Sequence, residues 1–175
     1  LVESLGITGD QCIHTHPIKK DKEIKRALEF GNTRFVVDNI EEMKKFYKYA
    51  GQVELIIRVS FRSKQAVVDL SRKFGCTLEE LPVLVEMAQS NGVSVVGLSF
   101  HVGSQSLSPM MQVNAIRSSI AAMKVMNNVK WKFLDIGGSF PVSYQEEVTP
   151  ITEFCAPVME ALSEFSTIAP PSISK

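Results

Sequence analysis

Two short runs in this chain combine residue types that can hold an anion. Ser99-Phe100-His101-Val102-Gly103-Ser104 and Leu134-Asp135-Ile136-Gly137-Gly138-Ser139 each end an apolar stretch in small or hydrogen-bonding residues. At the C-terminal ends of parallel strands such residues leave backbone N–H groups pointing at a phosphate. The adjacent Gly137 and Gly138 lack Cβ atoms, which lets those N–H groups approach the anion's oxygens closely. Two such strand ends imply a bound cofactor or substrate with an anionic group.

The elements that must position these residues alternate regularly between short β-rich runs and helical segments, the signature of βα units around a parallel sheet. Strands are expected at Gln11 to His16, Arg34 to Val37, Val53 to Ser60, Val93 to Phe100 and Lys132 to Ile136. Helices are expected at Asp21 to Phe30, from Asn39 to about Ala50 with Asp38 as cap, at Leu78 to Asn91, from Pro109 to about Met126, and at Ile151 to Phe165. Thr77 and Glu80 have the spacing of a capping box, Ser108 and Pro109 open the next helix, and Pro157 is expected to kink or divide the last. Five parallel strands fit either an open doubly wound sheet or part of a (β/α)8 barrel. Strand alternation puts Glu54, Ile56 and Arg58 on one face, Gly97, Ser99 and His101 on one face, and Phe133 and Asp135 on one face. If these faces point inward, Arg58, Ser99, His101 and Asp135 meet at the C-terminal mouth of a barrel, where an active-site floor belongs.

Composition narrows the function class. The 175 residues, 45% hydrophobic and 22% charged, suffice for one well-packed domain. Lys+Arg and Asp+Glu are equal at 19 each, so no net field recruits nucleic acid or an anionic membrane. No apolar run approaches the roughly 20 residues that cross a bilayer, and no signal-peptide pattern opens the chain, so a cytoplasmic protein is expected. Cys12, Cys76 and Cys155 form no CxxC pair and read as reduced core residues. His14 and His16 have the two-residue spacing of metal ligands, but three histidines in all leave such a site short, and no metal is expected.

Phe-His-Val-Gly-Ser at 100–104, followed by Leu-Asp-Ile-Gly-Gly-x-Phe-Pro at 134–141, closely resembles the barrel domain of the ornithine and diaminopimelate decarboxylase family. These are fold type III enzymes that use pyridoxal 5′-phosphate. His16-Pro17-Ile18-Lys19-Lys20, Leu55-Ile56-Ile57-Arg58-Val59 and Leu70-Ser71-Arg72-Lys73-Phe74-Gly75-Cys76 also match in type and order, best in the ornithine decarboxylase branch. The resemblance implies an incomplete α/β barrel, about strands 3–7 of eight, spanning residues 1–175. The first barrel strands and the C-terminal β-domain are expected to lie outside this chain, which reads as a segment of a longer protein.

The resemblance also implies a role for each matched residue. His101 would face the pyridine ring, Ser104 the phosphate, and Gly137, Gly138 and Ser139 the glycine-rich phosphate turn, while Arg58 would stand near the ring oxygen. Ser139 departs from the family's usual third glycine, which restricts the backbone if φ is positive. Arg58 could instead form an ion pair with Asp135. The family's cofactor-linking lysine has no match, so no catalytic residue is expected in this chain, and the chain alone is expected to be inactive. The implied activity of the parent is decarboxylation of ornithine, lysine or a related basic amino acid to a diamine in polyamine biosynthesis, as a homodimer. Two other readings are a non-catalytic regulator resembling the antizyme inhibitors and a barrel hydrolase with a metal on His14 and His16.

Overall fold

A computed structural model describes residues 2–61, 73–144 and 147–169. Nine regular elements follow one another: α1 (Asp21–Glu29), β1 (Arg34–Val37), α2 (Ile40–Lys44), β2 (Glu54–Val59), α3 (Leu81–Ser90), β3 (Ser94–Phe100), α4 (Pro109–Val125), β4 (Phe133–Asp135) and α5 (Ile151–Ser163). The four strands form one parallel sheet in the order β1-β2-β3-β4. Spatial order thus equals chain order, with no reversal. A doubly wound sheet needs a reversal to place helices on both faces, so this sheet is wound one way, as a barrel wall is.

Burial follows from that winding. Val37, Leu55, Ile57, Val59, Val95 and Leu98 pack against helical Ile24, Met43, Leu81, Leu84, Ala88 and Met123 in the main core. A second cluster joins Phe100 to Val113, Ile116 and Ile120 of α4 and to Phe154, Val158 and Ala161 of α5. The opposite face holds only Val36, Ile56 and Val96 with Ile13 and Phe133 beside them. Consecutive residues of β2 are buried on both faces, as in a parallel strand covered twice. At full burial each Leu or Ile contributes about 1.5–3 kcal/mol, so the helix side carries most of the stability. Gly97 is fixed by its partner strand: a Cβ there would lie 2.7 Å from the Phe133 carbonyl oxygen.

Several elements are shorter than the sequence pattern suggests. The run Gln11 to His16 is not a strand; it makes a single parallel bridge, His14 to Phe35. His14 N–H donates to Arg34 O and Val36 N–H to His14 O, both at 2.9 Å. The next rung would use Val36 O, but the Lys19 ammonium takes that oxygen, together with His16 O at 2.7 Å and Pro17 O at 2.8 Å. A loop lysine has replaced a ladder. The second helix stops at Lys44 and continues as a 3-10 turn over Tyr47–Tyr49, and its cap is Asn39, whose side chain accepts from Glu42 N–H at 2.9 Å, not Asp38. Asp38 accepts from Gly75 N–H and from the Asn39 side chain instead.

The Thr77 and Glu80 side chains do close a capping box, at 2.8 and 3.3 Å, but regular helix begins only at Leu81, with Pro82 in its first turn. Here the box closes a separate turn. β2 ends at Val59 and the last strand is three residues, Phe133–Asp135. α5 runs through Pro157 undivided, with Phe154, Val158 and Ala161 buried along one side. Of the matched run 70–76, residues 70–72 lie outside the described residues.

Lys19 is fully buried, and burial lowers its pKa to about 8, against the opposing pull of Glu42 and Asp38. Replacing it with methionine leaves three carbonyl oxygens without a donor. Lys19→Met is therefore expected to cost about 2–4 kcal/mol, read as a lower urea midpoint at unchanged m-value.

Candidate functional site

Strand register assembles the floor of the site. Arg58 pairs with Ser99 between β2 and β3, and Ser99 pairs with Asp135 between β3 and β4, so three polar residues form one row. Ser99 Oγ donates to Asp135 Oδ2 at 3.0 Å, and Gly137 N–H donates to Asp135 Oδ1 at 2.9 Å. The carboxylate thereby fixes the turn that follows its own strand.

That turn lies tight against the end of β3. Gly137 has φ 67°, and a Cβ on it would be 2.5 Å from Phe100 O and 3.2 Å from His101 Nδ1. Only glycine fits there. Gly138 differs: a Cβ built on it meets no atom of the described residues within 4 Å. At 138 the turn faces open space, so Gly137 is the glycine that contacts within the described residues require. The Gly138 and Ser139 amides have no acceptor among the described residues, and neither does the Ser104 hydroxyl.

The two strand-end loops are bound to each other. Gln112 Nε2 donates to Gly138 O at 2.6 Å, and Ser106 N–H donates to Ser139 O at 2.9 Å. The Gln105 side-chain amide makes a reciprocal pair with the Val142 backbone, at 2.9 and 2.8 Å. Gln105 and Ser139 are the two non-glycine residues of positive φ among the described residues, at 55° and 73°. Ser139 Oγ lies 3.1 Å from His101 Nδ1. Sequence reasoning missed Gln105 and Gln112. Gln112 was findable, since it shares an i, i+4 face with Ile116 and Ile120 in α4.

Arg58 is half-buried, its guanidinium 5.1 Å from the centre of the Phe74 ring. No carboxylate among the described residues stands within ion-pair distance of it, so the ion pair with Asp135 is not formed; stacking holds the side chain. Asp38 and Asp135 act on it through space. His101 is half-buried, and burial together with the Arg58 charge pushes its pKa below the ordinary 6.5, against the pull of Asp135. His14 stacks on Phe35 and His16 meets the edge of Phe74. No group of three or more His, Cys, Asp or Glu among the described residues is placed to hold a metal ion.

A parallel sheet wound one way, with free amides and a serine hydroxyl at neighbouring strand ends, has the architecture of a barrel-type domain with an anion-sized opening at its strand ends. Residues 1–173 match the pyridoxal-binding domain of the pyridoxal-dependent decarboxylases, and the chain belongs to that family. It is 32% identical over 169 residues to a lysine/ornithine decarboxylase of Selenomonas ruminantium, which covers 94% of this chain and 42% of that protein. It is 31% identical over 143 residues to antizyme inhibitor 2 of Xenopus laevis, covering 81% and 31%. The lysine/ornithine decarboxylase of Vibrio vulnificus, crystallised with putrescine, superposes at a TM-score of 0.83 and 44% identity over 93% of this chain and 43% of that one. The fold is an incomplete (β/α)8 barrel, the family's cofactor is pyridoxal phosphate, and the chain spans less than half the length of these relatives.

The depressed His101 pKa has a defined sign. The unfolded histidine, with its pKa near 6.5, takes a proton more readily than the folded one, so stability falls as the pH drops through 6.5. NMR titration is expected to give His101 a midpoint below 6.5. His101→Phe should shrink the loss of urea midpoint between pH 7.5 and pH 5.5, leaving the share due to His14, which burial also lowers.

Proposed function

We propose that this chain is the cofactor-holding part of a decarboxylase that converts ornithine, lysine or a related basic amino acid into a diamine for polyamine biosynthesis. The observation that carries the reading is the turn at Gly138: two amides without an acceptor among the described residues border a space that no described residue fills. Those amides, with the Ser104 hydroxyl, would take the phosphate oxygens, since backbone N–H groups in such a concavity favour anions. His101, neutral at pH 7, would lie against the pyridine ring, and Arg58 would set a fixed positive charge beside it. When bound, pyridoxal phosphate serves as the electron sink for the bond to the departing carboxyl group. Asp135 acts indirectly, by holding Gly137 and Ser99 in place.

The covalent step is assigned to segments other than this one. Lys19, in the matched run His16-Pro17-Ile18-Lys19-Lys20, is buried with its ammonium on three carbonyls and is not available as a nucleophile. Because the family's cofactor-linking lysine has no match here, the chain by itself is expected to bind the cofactor without turning over ornithine or lysine. The reading extends to a homodimeric, cytoplasmic parent; no helix among the described residues is long and apolar enough to cross a membrane. A second reading, a non-catalytic regulator, rests on the 31% identity to antizyme inhibitor 2. Retention of the unfilled cradle favours the enzyme.

Pyridoxamine 5′-phosphate, which lacks the aldehyde that would trap surface lysines, is the probe that separates them. Calorimetry should show binding to the intact chain and much weaker binding of pyridoxamine without phosphate. Gly138→Ala should leave thermal stability unchanged, because its Cβ meets nothing, yet weaken the phosphate ligand at least about ten-fold by filling the cradle. Equal affinity in the variant would overturn the assignment of the phosphate to this turn, and no binding at all would favour the regulator.

A further inference from the structure

Ser139 holds a conformation that an L-residue adopts only at a cost, with φ at 73°. Its neighbours enforce it: Ser106 N–H holds its carbonyl at 2.9 Å, and Gln112 holds the preceding carbonyl at 2.6 Å. A glycine would meet the same backbone demand without strain. What serine adds is a hydroxyl, and that hydroxyl points inward. The residue is 7% exposed, and among the described residues the one partner of its Oγ is His101 Nδ1 at 3.1 Å.

We propose that Ser139 is a positioning residue whose hydroxyl donates to His101 Nδ1, fixing the ring's rotation and holding it as the Nε2–H tautomer. A buried hydroxyl hydrogen without an acceptor is costly, and Nδ1 is the acceptor within reach. With Nδ1 accepting, the ring proton must sit on Nε2, which has no partner among the described residues. Gly137 leaves the room for this arrangement, because a Cβ there would press within 3.2 Å of the same nitrogen. The consequence for cofactor binding rests on the function proposed above; the tautomer does not.

The test uses the full chain labelled with ¹⁵N at histidine, as wild type, Ser139→Ala and Ser139→Gly. Long-range ¹H–¹⁵N correlation should show His101 as a single Nε2–H tautomer in the wild type and as a mixture in both variants. Ser139→Gly relieves the positive φ, so it should melt no lower than the wild type and remains informative if the alanine variant fails to fold. Affinity for pyridoxamine 5′-phosphate should fall about five-fold in the variants, the loss of roughly one neutral hydrogen bond. Unchanged His101 nitrogen shifts in the glycine variant, or an Nδ1–H tautomer in the wild type, would overturn the proposal whatever the ligand does. Altered shifts with no ligand binding even in the wild type would uphold Ser139's role and reject the cofactor reading instead.

Discussion

The Asp135 carboxylate takes the Ser99 hydroxyl on one oxygen and the Gly137 amide on the other, and through these two bonds it ties β3 to the turn after β4. Everything at the open end of the sheet hangs from that bridge. It sets where Gly137 crosses the end of β3, and hence where the Gly138 and Ser139 amides point. The bridge exists because parallel register puts Ser99 and Asp135 directly opposite each other, and the same register places Arg58 next in the row. A slip of one residue would turn all three side chains to the helix face.

Two residues in the left-handed region, Gln105 and Ser139, sit where the loops meet. Together they cost about 2–4 kcal/mol relative to ordinary backbone. Against this stand the two Gln105 bonds to Val142, the Ser106 bond to Ser139, the Gln112 bond to Gly138 and the Ser139 contact with His101. At about 1 kcal/mol each these offset the strain with little to spare. The surroundings therefore over-determine the backbone, the condition under which strain persists at functional sites.

The order of strands and helices, the row of inward polar residues and the glycine turn were all legible in the sequence, because they follow from period-two alternation and from glycine's lack of a Cβ. What escaped was set by contacts distant in sequence. Nothing local marks Lys19 as buried, since a lysine in a Pro-Ile-Lys-Lys loop reads as solvated, yet its ammonium ends a strand pairing by capturing Val36 O. Arg58 was legible as a mouth residue but not its partner: Phe74 lies sixteen positions on, and stacking leaves no charge pattern to read. Asp38 looked like a helix cap, and the competition with Asn39 was decided by Gly75, whose amide engages the aspartate from another loop.

All the bonds that shape the cradle fall between residues 99 and 142, within β3, α4, β4, the loops that join them and the segment that follows β4. None of them requires an element beyond this βαβ unit and that following segment. The donors are mostly backbone amides held by a carboxylate, a glycine contact and two glutamines, so little side-chain entropy remains to be lost when an anion arrives. Arg58 is the exception, reaching in from β2 and held by a loop residue, Phe74. The side of the cradle that would grip the phosphate is thus held mainly through backbone groups, and the ring side through two side chains, His101 and Arg58. Under the function proposed above, one barrel segment would supply the grip on the phosphate and other segments the reacting groups.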